Sequence, residues 1–105
     1  MEALLTLTQL IRMGLANGAV GFTFRSGLHP VIYSAKGVQT YDTQPSTSED
    51  IEEILHHLMR SRERRQLRAT GAVHFKSAFE GGISMLGGAK LDGEEIRVEL
   101  RRMAA

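Results

Sequence analysis

The sequence contains no cysteine, only two prolines among 105 residues, and no clear excess of either charge. Without cysteine there is no disulfide, thiolate metal site or cysteine nucleophile, which fits a reducing compartment. Thirteen Lys+Arg against 12 Asp+Glu leave a net charge of +1. Nucleic-acid binders ordinarily carry a basic surplus, so nucleic acid is not an expected partner. No apolar run approaches the ~20 residues of a membrane span. The N-terminal MEALLTLTQLIRMG has Glu2 where a secretory signal would be positive, and polar residues interrupt its apolar block at helical intervals. It reads as a mature helix, and the cytoplasm is the expected location.

Hydrophobic residues make up 42% of the chain and charged residues 24%, ordinary values for a folded domain. The length suits one domain, residues 1–105, with one modest core. Leu4, Leu7, Ile11 and Leu15, with Leu10 alongside, form the apolar stripe of a helix that Asn17-Gly18 ends. AVGFTFR and VIYSAK follow as short β-like runs around Ser-Gly-Leu-His-Pro. QTYDTQPSTSED reads as a polar loop; Ser46 and Glu49 have capping-box spacing, and Thr47 or Ser48 could cap instead. Ile51, Ile54, Leu55, Leu58 and Met59 then keep helical spacing, and RSRERRQLR predicts a short third helix up to Gly71.

The remainder predicts a meander. AVHFKSAF and ISMLGGAKL flank a turn at Glu80-Gly81-Gly82, and Asp92-Gly93 signals a tight hairpin into EEIRVELRR. Ile96, Val98 and Leu100 alternate with Glu95, Arg97, Glu99 and Arg101, as in a strand with one wet face. The expected fold is α+β, in the order α-β-β-α-α-β-β-β: a five-stranded antiparallel sheet with helices on one face.

Catalytic and metal signatures are missing. Gly81-Gly82 and Gly87-Gly88 lie in strand patterns without the lysine and hydroxyl of a phosphate loop, so a turn and a bulge or close backbone approach explain them. His56 and His57 are neighbours on a helix, about a hundred degrees apart, with no partner at ligand spacing. His74 falls on the wet side of its strand, and Ser84 lacks a nucleophile elbow. Glu49, Asp50, Glu52 and Glu53 suit the first turns of a helix, where the macrodipole favours negative charge. No enzyme activity, metal or cofactor is expected.

Arg60, Arg62, Arg64, Arg65 and Arg68, opposed only by Glu63, concentrate positive charge on the third helix. A solvated helix is the plain explanation. The functional one is a protein contact, because the guanidinium forms bidentate carboxylate bonds and is enriched at interfaces. Ser26, Gly27, Leu28 and Pro30 are the other marked residues, a turn in which Pro30 has fixed φ and no amide hydrogen.

In that setting, a helix, a short strand, Ser26-Gly27-Leu28-His29-Pro30 and the strand entry Val31-Ile32 resemble the N-terminal domain of twitching-motility ATPases, the PilT-type motors that retract bacterial type IV pili. The downstream polar loop, amphipathic helix, short charged helix and strands resemble it too, from about Leu4 to Arg102. Gly21 stands where that family usually has aspartate, Thr23 where it has histidine, and Tyr33 near a usual arginine. The resemblance implies a PAS-like module that packs against the ATPase domain of a neighbouring subunit, with nucleotide chemistry confined to a following domain. It implies no catalytic, metal or nucleotide-binding residue in this chain.

Two functions are therefore expected in order. One is a non-catalytic interaction or regulatory module, whose partner is another protein or a second copy; a motor ATPase or pilus-machinery component would fit. The other is a PAS-like small-ligand sensor. A filled core on the sheet's inner face would favour the first, and a cavity with converging polar groups the second.

Overall fold

Helix-starting residues frame the structure. Thr6 caps α1 (Leu7–Ala16): its hydroxyl accepts from the Gln9 amide at 3.1 Å, and the Gln9 side chain accepts from the Thr6 amide at 2.8 Å. The computed structural model describes residues 6–41, 45–79 and 82–103, so Leu4 and the Glu80-Gly81 part of the expected turn lie outside the described residues. Asn17 is the C-cap of α1, and Gly18 takes positive φ. α2 (Ser48–Leu58) has a capping box that uses Thr47 and Asp50, one register later than the Ser46–Glu49 pair. α3 (Ser61–Thr70) stops at Gly71, whose φ of 81° permits the left-handed closure.

Among the described residues six strands form one antiparallel sheet, not five: β1 (Ala19–Arg25), β2 (Val31–Ser34), β3 (Gly37–Thr40), β4 (Ala72–Phe79), β5 (Ile83–Asp92) and β6 (Glu95–Arg102). The element order is therefore α-β-β-β-α-α-β-β-β, with β3 added to the expected order. All four β3 residues are exposed, so no period-2 burial pattern marks Gly-Val-Gln-Thr as a strand. Pairing with β2 makes it one.

Laterally the order is β3-β2-β1-β6-β5-β4. The last strand is thus central, and β3 and β4 are the edges. Placing β6 on the outside would leave the core residues Ile96, Val98 and Leu100 at a solvent edge; between β1 and β5 they are at most 4% exposed. β5 and β6 join through Gly93-Glu94, closed by the Asp92–Glu95 pair, one residue beyond the expected Asp92-Gly93 turn.

One core joins the helices to a single face of the sheet. Leu10, Ile11 and Leu15 from α1 and Ile51, Ile54, Leu55 and Leu58 from α2 meet Phe22, Phe24, Phe75, Met85 and Val98. Phe22 and Phe24, two residues apart on β1, stack with centroids 6.1 Å apart. α3 contributes a single buried residue, Leu67.

Candidate interaction surface

The Ser26–Pro30 turn ties three parts of the fold together. Gly27 has φ +82°, a conformation available to glycine at little cost, and its amide donates to the Ser46 carbonyl at 2.8 Å. Ser46 answers by donating its own amide to the Leu28 carbonyl at 2.9 Å. The Ser26 hydroxyl accepts from the Ile96 amide at 3.0 Å and lies 2.9 Å from the Ser48 hydroxyl. Pro30, buried just before β2, accepts from the Tyr41 amide at 2.8 Å. These bonds fix the entry of α2 against the start of β6. Leu28 is 52% exposed at the tip.

The arginines are divided by α3. Arg64 folds back, donating to the Met59 carbonyl at 3.0 Å and the Ser61 hydroxyl at 3.2 Å, and so seals the α2–α3 junction. Glu63 accepts from the Arg60 amide at 2.9 Å. Arg60, Arg62, Arg65 and Arg68 line the outside of this segment, and none pairs with a carboxylate among the described residues. Arg62, Arg65 and Arg68 follow each other at i, i+3 along one oblique row of the helix. The terminal strand does not present acidic groups at an edge. Glu95 is held by Arg25 at 3.1 Å and Glu99 by Arg97 at 2.6 Å, all on the central strands β1 and β6.

The sheet face opposite the helices carries a surface that strand patterns alone do not reveal. Residues directly opposite each other on paired strands point to the same face. The registers therefore align Val38, Tyr33, Gly21, Arg101, Leu86 and Lys76 in one row across all six strands. A second row runs Val31, Thr23, Glu99, Gly88, His74. Val20, Tyr33, Val38 and Leu86, all large and apolar, are 37–68% exposed here. Where Gly21 and Gly88 omit a side chain, a groove of about 550 Å³ opens, lined by Val20, Thr23, Tyr33, His74, Leu86 and Arg101 among others. Thr23 Oγ1 donates to the Tyr33 hydroxyl at 3.2 Å, which holds the phenol against one wall.

Between sheet and helices, by contrast, the space is filled. Phe24, Ile11, Ile51, Met85 and Val98 are wholly buried there. A crevice beside α2 and α3 amounts to about 80 Å³, well below the ~300 Å³ at which ligand pockets begin. Among the described residues no group of three His, Cys, Asp or Glu is placed to hold a metal ion. No helix of the described residues is long and apolar enough to cross a membrane.

No family model and no curated protein matches the sequence. Solved structures do match the fold. The pilus retraction motor PilT, determined with bound ADP, superposes with a TM-score of 0.81 over 97% of this chain at 19% identity. The Legionella pneumophila ATPase DotB does so with a TM-score of 0.76 over 94% of the chain at 10% identity. The chain spans 30% of the first and 28% of the second, so it corresponds to less than a third of each ATPase. At these identities the likeness is one of fold, and that fold is consistent with a PilT-type N-terminal domain.

Proposed function

We propose that this chain is a non-catalytic interaction or regulatory module, related to the N-terminal module of pilus retraction and secretion ATPases. It works in the bacterial cytoplasm beside a motor and performs no chemistry itself. The observation that carries this reading is a fold shared, over nearly the whole chain, with part of two ATPases, one of them a pilus retraction motor. Its surface supports the same reading: among the described residues one sheet face is uncovered and exposes Val20, Tyr33, Val38 and Leu86 among charged groups, and α3 displays arginines without carboxylate partners. The filled inner face speaks against a PAS-like ligand sensor, since that pocket would lie where Phe24 and Val98 already pack.

Mixing the purified chain with a PilT-type motor protein and sizing the mixture at low and high salt tests the reading. Co-elution is expected, weakening as salt rises because part of the contact is ionic. Separate elution at every salt concentration would sink it. ATP turnover by the chain alone should not exceed that of a heat-killed sample.

A further inference from the structure

From the open face of the sheet we infer the chemistry of the partner: a protein segment that seats one aliphatic or aromatic side chain in the groove over Gly21 and Gly88, with carboxylates on either side of it. The inference rests on the interaction-module reading above and deepens it by naming what docks and where.

Two glycines form the floor of the groove: a Cβ on Gly21 would press to 3.0 Å on the Leu100 carbonyl oxygen, whereas one on Gly88 would meet nothing closer than His74 Nδ1 at 3.5 Å, so the open place is at Gly88. Gly21 lies between Tyr33 and Arg101 in its row, and Gly88 between Glu99 and His74 in the next. With strands about 4.8 Å apart, the gap at Gly88 is roughly 10 Å between flanking side chains, room for one large side chain. Val20, brought to the groove at a bulge between Ala19 and Gly21, joins Tyr33 and Leu86 as its apolar wall. Covering such walls removes exposed apolar area from water, the usual energetic centre of a docking site.

Charge selects the occupant. On this face Arg25 is paired with Glu95 and Arg97 with Glu99. Arg101, Lys76 and Lys90 have no carboxylate within salt-bridge distance among the described residues. Arg101 and Lys76 stand on either side of Leu86 in one row, and Lys90 lies beside Arg97. A positive frame around an apolar floor is complementary to an apolar side chain between acidic ones. A second copy docking by this face would set the same positive surplus against itself in an isologous contact. Single-stranded nucleic acid would find the exposed rings of Tyr33 and His74, with three strands between them, instead of a stacking platform, and the Glu99 carboxylate beside its phosphates.

The test is a selection from a phage-displayed library of random peptides on the intact chain, counter-selected on Gly88→Leu. That leucine fills the groove from its floor, and a Cβ at Gly88 meets nothing closer than His74 Nδ1 at 3.5 Å, so the core is untouched. Enriched peptides should carry Leu, Ile, Met or Phe flanked by Asp or Glu. A fluorescent copy of one should bind Gly88→Leu and Arg101→Glu about tenfold or more weakly than wild type. Glu53→Gln, exposed on α2 at the far side of the sheet, should leave its affinity unchanged. Arg101→Glu keeps the test decisive if Gly88→Leu melts earlier than wild type. Peptides without acidic flanks, or no enrichment over the counter-selection, would overturn the inference. So would a face that takes up an oligothymidylate better than the peptide, or that dimerises in solution. If wild type and Gly88→Leu bound the motor protein equally, the module reading would stand and this one would fall; if neither motor nor peptide bound, both would fall.

Discussion

Two consecutive glycines on β5 show how differently the two faces of this sheet are built. A Cβ on Gly87 would collide with the Phe75 ring, which only the bare glycine admits. A Cβ on Gly88 would stand 3.5 Å from His74 Nδ1, in ordinary contact over an open groove. On the covered face glycine lets the core close; on the open face it keeps a surface from closing. Residue type is the same, and the difference comes from what the neighbouring strands and helices bring to each side. The covered face is filled to the density at which a single methyl matters. The open face tolerates change in stability and is where change in binding is expected.

Mutations sharpen that contrast, and the largest effect belongs to the core. Phe24→Ala empties a wholly buried site stacked on Phe22 and should cost about 3–5 kcal/mol by urea unfolding. A loss no larger than that of Leu86→Ala, on the open face, would mean the faces are not so divided. Gly87→Ala should follow at about 2–3 kcal/mol, because the Phe75 ring must leave its place. Gly27→Val comes next at about 1–3 kcal/mol. Nothing lies within 4 Å of its Cβ, so the whole effect is backbone strain at φ +82°, and an unchanged melting temperature would refute that conformation. Thr47→Ala should remove about 1 kcal/mol with the α2 capping bond, measurable as lost helix signal on heating. Gly88→Ala and Arg65→Glu should stay within about 0.5 kcal/mol of wild type, and a larger change would put them in the packed half of the molecule.

Much of this division is legible in the order of residues along the chain. The alternation in β6 names its buried residues because each face of a strand repeats every second position. The helical spacing of Ile51, Ile54, Leu55 and Leu58 names the buried side of α2 in the same way. β3 escapes because an edge strand with no buried face has no pattern to show. The capping register of α2 stays open between Ser46, Thr47 and Ser48, since all three side chains can accept the bond and only the chain path chooses. Ser46 is instead drawn into the Ser26–Pro30 turn through its backbone, and becomes buried.

Local signals decide local structure, and in this protein they extend to the helices, to five of the six strands among the described residues and to the Gly27 turn. Their warrant is short-range: φ preferences, capping bonds and periodic burial all act within a few residues. Lateral position is long-range. That β6 lies between β1 and β5 follows from satisfying the hydrogen bonds and apolar sides of strands far apart in sequence, and no dipeptide encodes it. The groove is a product of the same pairing. Only the registers that set Gly21 against Tyr33 and Arg101, and Gly88 against Glu99 and His74, turn two ordinary glycines into the floor of a surface.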